Sequence, residues 1–218
     1  MQKPIAILAA IGAISLAACG AKTDATEKNF HAAMTQYFDK KGDLCLNSIR
    51  WPVDVTEMDR RLHTSSESQM LALESAGLAI GVETEIDIQD FMGSKSTGAK
   101  AKVTRYNLTD AAKPFTQEKT LDSIGLNGKV TVKQVNLCWG KKGIDKIVKW
   151  EGPMKFGDYQ EAGITYLYKV NNAADWARKP EIQTAFPYIK NVLDGAGTKE
   201  SKHAVKLTSQ GWEAKGLD

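Results

Sequence analysis

At Ile80 the spacing of apolar residues changes, and that change bounds the architecture of the chain more tightly than anything else in it. Upstream the spacing is helical. Phe30, Ala33, Met34, Tyr37 and Phe38 fall at i, i+3, i+4, i+7 and i+8, with Asp24-x-x-Glu27 as a capping box ahead of them and Lys40, Lys41 and Gly42 behind. Leu44-Cys45-Leu46 to Trp51-Pro52 reads as a short strand, and Asp54-Val55-Thr56-Glu57 opens a short helix toward Leu62. Ser66-Glu67-Ser68-Gln69 is a further capping box ahead of Met70, Leu71 and Leu73, and Gly77 is placed to end that third helix. From Ile80 the period is two. Ile80, Val82, Thr84, Ile86 and Ile88 share one face and Glu83, Glu85 and Asp87 the other, which predicts a half-buried strand with a solvated acidic face. Gly93 to Gly98 reads as a loop, and Lys100 to Leu108 returns as the partner strand.

Beyond this hairpin, Pro114 to Asn127 is polar and turn-rich, the best candidate for a module boundary. Val130 to Trp139 and Ile144 to Trp150 flank Gly140-Lys141-Lys142-Gly143 as a hairpin would, and Ile164 to Val170 is a third strand. One long helix is expected from Pro180-Glu181, with Ile182, Ala185, Phe186, Ile189, Val192 and Leu193 as its stripe, Pro187 as a kink and Gly195 as its stop. Lys202 to Thr208 would close the sheet. The expected fold class is α+β: a helix-rich module over 26–115, then an antiparallel-sheet module with one long helix over 128–218. Leu44-Cys45 recurs as Leu137-Cys138, and Tyr106-Asn107-Leu108-Thr109 loosely as Val205-Lys206-Leu207-Thr208. Internal duplication and chance similarity of short apolar strings both account for these echoes.

The first residues carry an address. After Lys3, Ile5 to Ala18 form an apolar run too short to span a bilayer, which takes roughly 20 residues, so the segment reads as a processed signal. It closes on Leu16-Ala17-Ala18-Cys19, which resembles the lipobox of bacterial lipoproteins. The resemblance implies cleavage before Cys19, acyl chains on its thiol and new amino group, a signal peptide over 1–18 and a lipidated tether over 19–25. Two or more acyl chains hold a protein stably to a membrane. Gly20 stands where an aspartate would resemble an inner-membrane retention signal, so the implied location is the outer membrane, periplasmic side. No other cofactor is expected.

The compartment implied by that resemblance is oxidising, and with Cys19 acylated only Cys45 and Cys138 are left to pair. Closing the loop between them would remove roughly 4–5 kcal/mol of unfolded-chain entropy in the simplest description. A redox pair usually shows CxxC and a structural metal site four closely spaced ligands, and neither spacing occurs.

Leu71-Ala72-Leu73-Glu74-Ser75-Ala76-Gly77-Leu78 and Val103 to Ala112 resemble the third helix and the wing end of winged-helix domains, over about residues 26–115. That superfamily commonly binds DNA, but Ser66 to Ala76 carries Glu67 and Glu74 with no lysine or arginine. The chain's net charge of +3 is no nucleic-acid footprint either, so the module is expected to serve protein contact.

Catalytic chemistry is sparse. The acidic stripe has Lys100 and Lys102 opposite it as cross-strand partners, and Gly93 to Gly98 lacks the lysine a phosphate loop needs, since Ala99 follows. Ser-x-x-Lys and Gly-x-Ser-x-Gly are absent, and His31, His63 and His203 are not at metal-ligand spacing. Aromatic residues concentrate in the second half. They are read first as core, with Trp150, Tyr166, Tyr168 and Trp176 as the candidate interaction surface should a subset be exposed. The expectation is a membrane-anchored binding or structural protein with an envelope-protein or cell-wall partner. An envelope hydrolase would need a pocket of converging carboxylates or a histidine with an acid, and a small-ligand carrier an enclosed apolar cavity.

Overall fold

The computed structural model describes residues 21–47, 49–89, 96–125 and 128–217. Helix α1 (Glu27–Lys41) buries Phe30, Ala33, Met34 and Phe38, the expected stripe. Its cap is Thr26 rather than Asp24: the Thr26 hydroxyl accepts from Asn29 N. Strand β1 (Asp43–Cys45) follows, then β2 (Val53–Thr56), α2 (Glu57–Leu62) and α3 (Ser65–Ser75). Helix α2 starts with a capping box between Thr56 and Asp59. Helix α3 starts two residues earlier than expected, capped by Thr64 rather than Ser66; the Thr64 hydroxyl accepts from Glu67 N. Strands β3 (Ala79–Gln89) and β4 (Ser96–Leu108) form the expected hairpin. Of the expected Gly93–Gly98 loop, residues 93–95 lie outside the described residues and 96–98 belong to β4.

Two sheets result. Strands β2, β4 and β3, in that order, make a small antiparallel sheet. The larger one is built around β6 (Gly128–Phe156), a strand of 29 residues. Its first half pairs with β5 (Thr116–Gly125), its middle with β1, and its second half with β7 (Tyr159–Asn171). Strands β8 (Ser201–Thr208) and β9 (Gly211–Ala214) complete that sheet beyond β7. The fold is α+β, as expected.

Three expectations are corrected within it. The polar stretch from Pro114 is a strand, not a connector: after a 3-10 turn (Asp110–Phe115), residues 116–125 pair one to one with 128–137. Gly140-Lys141-Lys142-Gly143 is no hairpin turn but the crowded middle of β6. There a Cβ on Gly140 would meet Val170 Cγ1 at 3.1 Å and one on Gly143 would meet Asn171 Nδ2 at 2.6 Å, so these glycines admit a neighbouring strand. The single long helix is two, α4 (Pro180–Ala185) and α5 (Pro187–Gly195). Proline disfavours helical geometry in the residue before it, and Phe186 accordingly leaves the helix at φ −127°, ψ 73°. The stripe still holds, with Ile182, Ile189 and Val192 buried.

One contiguous apolar cluster joins all of this. It runs from Phe30, Met34 and Phe38 of α1 through Leu73 of α3 to Trp139 of β6, Tyr166 of β7 and Trp212 of β9. Helix α1 packs against β6 and β9, so residues on both sides of the expected boundary share the core. Phe30 sits between two tryptophans, with ring centroids 5.5 Å from Trp150 and 5.0 Å from Trp212.

Candidate functional site

Cys45 and Cys138 lie directly opposite each other on β1 and β6 and are joined as a disulfide. Cys19 lies outside the described residues.

The aromatic residues expected as an interaction surface divide. Trp150 is partly exposed at the surface, with its ring edge against Phe30. Tyr166, Tyr168 and Trp176 are buried and belong to the core, in line with the first reading of the aromatics, and this removes them from the candidate interaction surface. The pleat of β7 explains two of them: Ala162, Ile164, Tyr166 and Tyr168 alternate onto the side that meets the helices. Tyr166 packs on Phe38, with ring centroids 5.9 Å apart, and the Tyr168 hydroxyl donates to Val192 O at 3.0 Å. Burial pushes both phenols above their ordinary pKa. Trp176 packs on Phe115 at 6.1 Å. Lys142 lies 4.1 Å over the Tyr168 ring, and its ammonium is held below its usual range first by burial and then by Lys199.

The surface the sequence reading missed is the outer side of the small sheet. The side of β3 and β4 that meets α3 carries Ala79 and Tyr106, joined by Val55 of β2, all buried. Gly81 lies against the Tyr106 ring, where a Cβ would come within 2.9 Å of Cε1. The isoleucine face is therefore turned away from the core. Ile80, Val82 and Ile88 are 52%, 55% and 42% exposed. Val103 is buried at the centre of that face, between Thr84 on one flank and Thr56 on the other. Beside it Arg105 makes a two-pronged bond to Asp54, both contacts at 2.7 Å. An alternating strand states its period but not which face is inward. The small residues Ala79 and Gly81 were the signal that could have decided it.

The acidic stripe lies on the opposite side of β3 from the isoleucines. Glu85 and Asp87 stand across from Lys102 and Lys100, and Lys100 reaches Glu85 at 4.0 Å. A cleft of about 600 Å³ beside it is lined by Glu57, Arg60, Glu83, Glu85 and Lys102 among others. Its carboxylates are interleaved with cations, and none of its lining residues is a histidine. His203 lies against Tyr37 with ring centroids 4.5 Å apart and planes tilted by 48°, and its Nε2 is 2.9 Å from Lys215 O, which can only accept and so places a proton on that nitrogen. The exposed His63, at the end of α2, pairs with the half-buried Glu67 in the first turn of α3, and His31 lies 3.4 Å from the Thr35 hydroxyl. Among the described residues no group of three or more histidine, cysteine, aspartate or glutamate side chains is placed to hold a metal ion.

No known family model, curated protein or solved structure matches the chain.

Proposed function

We propose that this chain is a lipid-anchored binding protein of the bacterial envelope, tethered by acyl chains on Cys19 to the periplasmic side of the outer membrane. The address rests on Leu16-Ala17-Ala18-Cys19. The mode of action rests on one observation: the β2–β4–β3 sheet presents Ile80, Val82 and Ile88 to solvent beside the Asp54–Arg105 pair. Large apolar side chains left exposed on one sheet face among polar groups are the feature that interaction sites share, and an envelope protein is the partner we assign to this one. Catalysis gains no comparable support, because the cleft beside Glu83 mixes acids with bases and His63, the histidine paired with Glu67, has its side chain 84% exposed to solvent.

We also read the segment from β2 to β4 as the winged-helix-like part, since its strands run in the order β2-β4-β3 with α2 and α3 between β2 and β3. Helix α1 departs from that scheme by packing on β6 and β9. Chance similarity is our reading of the two sequence echoes. Leu44-Cys45 and Leu137-Cys138 sit on neighbouring strands of one sheet, whereas 106–109 and 205–208 fall in different sheets.

A photo-crosslinking residue placed at Val82 in intact cells tests the surface. The expected result is one discrete protein adduct, lost when Ile80→Lys and Ile88→Lys are added and absent from a probe at the exposed Tyr188. No adduct at Val82, or the same adducts from both positions, would contradict it.

A further inference from the structure

The chain enters the fold at one end of the large sheet. The Trp212 indole donates to Thr23 O at 3.1 Å, and the backbone of Lys22 lies so close to Gly211 that a Cβ there would meet Lys22 O at 3.0 Å. Gly211 pairs with Thr208 in the last rung of β8 and β9. Because Glu161 pairs with Lys206, Tyr159 stands level with Thr208, and Tyr159 in turn pairs with Phe156. The β6–β7 turn and the incoming chain therefore share one end of the sheet. Two to three strand spacings separate them, about 10–15 Å.

That end is apolar. Met154, Phe156 and Tyr159 share one face of the hairpin by register and are 56%, 67% and 41% exposed. The turn between the strands is two residues, with Gly157 at φ 59°, so the tip is a tight projection. Lys155 is exposed between Met154 and Phe156. Of the nearby acids, Glu161 is bound by Lys215 at 2.8 Å and by the Tyr159 hydroxyl, and Asp158 occupies the turn itself.

Three residue steps connect Cys19 to Lys22, a reach of at most about 11 Å. We propose that the β6–β7 hairpin tip is a second membrane contact, with Met154, Phe156 and Tyr159 seated in the interface of the phospholipid leaflet that holds the acyl chains. This rests on the reading that Cys19 is acylated. A tether that short keeps the sheet end at the lipid surface, where side chains as apolar as Met154 and Phe156 leave water favourably. Tyrosine suits the headgroup level, and Lys155 meets lipid phosphate there. The contact seats the body in one orientation instead of leaving it to swing on its tether.

The test uses the full acylated chain in vesicles of phosphatidylethanolamine and phosphatidylglycerol, with a photo-crosslinking residue at Phe156 or, as reference, at the exposed Thr198 near the other end of β7. Lipid-adduct yield should be roughly tenfold higher at Phe156, the factor expected for burying about one such side chain. It should fall toward the reference level with Met154→Ser and Tyr159→Ser together. Equal yields at the two positions, or adducts only between copies of the protein, would overturn the proposal. The intact mass separates the two readings. A protein without acyl chains refutes the anchor, whereas an acylated protein with no excess at Phe156 refutes only the hairpin contact.

Discussion

At the scale of single residues, Phe30 and Asp59 carry the clearest consequences. Phe30 is fully buried and wedged between Trp150 and Trp212, so Phe30→Ala should cost about 3–5 kcal/mol in urea unfolding. Asp59 accepts from Thr56 N at 2.9 Å and from the hydroxyls of Thr56 and Thr64 at 2.6 and 3.1 Å. The Thr56 hydroxyl and backbone bonds lead in holding its carboxyl below the usual carboxylate range. A pKa lower in the folded than in the unfolded chain stabilises the fold above the ordinary value of about 4, and that contribution is lost as pH falls through the lowered folded pKa. A carboxyl-carbon titration should show an acid-shifted midpoint for Asp59, and Thr56→Ala should move it toward normal while costing about 1 kcal/mol. The Phe30 stripe was legible in the sequence, because helical spacing identifies a buried face directly. Tyr166, Tyr168 and Trp176 are core, as the first reading of the aromatics has it; what the sequence left open was which rings would be exposed, because aromatic rings fill cores and interfaces alike.

At the scale of elements, the helices before Ile80 and the β3–β4 hairpin were readable from the apolar pattern. The caps of α1 and α3 lie two residues from those expected, residues 54–56 belong to strand β2 and not to the start of α2, and β6 was not readable. Its glycine–lysine run has the composition of a turn but the role of a crossing point. Gly42, read as a helix stop, shows the same pressure. Lys142 N donates to Gly42 O at 2.7 Å, and a Cβ on Gly42 would fall 2.3 Å from Phe38 O and 2.4 Å from Lys142 O. Both atoms are backbone and cannot step aside. Gly42→Ala should therefore destabilise by about 1–3 kcal/mol, measured as a lower urea midpoint, by forcing α1 away from β6. The inverted face of β3 has the same kind of cause. Its register with β4 follows from alternation, but the choice of inward face was made by Tyr106 packing over Gly81, a contact between residues 25 positions apart. That face is the candidate site, so the sequence supplied its residues while tertiary packing decided their exposure.

At the scale of the whole molecule, one core and one disulfide join the two halves. Cys45 and Cys138 close a loop of 93 residues, so reduction, or Cys45→Ala with Cys138→Ala, should lower unfolding stability by up to about 5 kcal/mol in the chain-entropy description. Equal midpoints for oxidised and reduced protein would contradict that contribution. The pairing was foreseeable once the lipobox resemblance had assigned Cys19 to lipid. The shared core was not, because helix α1 gives no sign in its own sequence that its partners are β6 and β9. Both proposed surfaces depend on where the body is held. The apolar face of the small sheet would meet envelope partners only outside the cytoplasm, and the hairpin tip meets lipid only if the chain is tethered beside it. The most direct measurement is therefore the intact mass and membrane fractionation of the protein purified from cells, compared with Cys19→Ser. The account predicts a mature chain that begins at Cys19, carries acyl chains and sediments with the outer membrane, and a Cys19→Ser protein that lacks acyl chains and leaves that fraction. A wild-type chain without acyl chains, or a Cys19→Ser protein with unchanged mass and fractionation behaviour apart from the substitution itself, would contradict it.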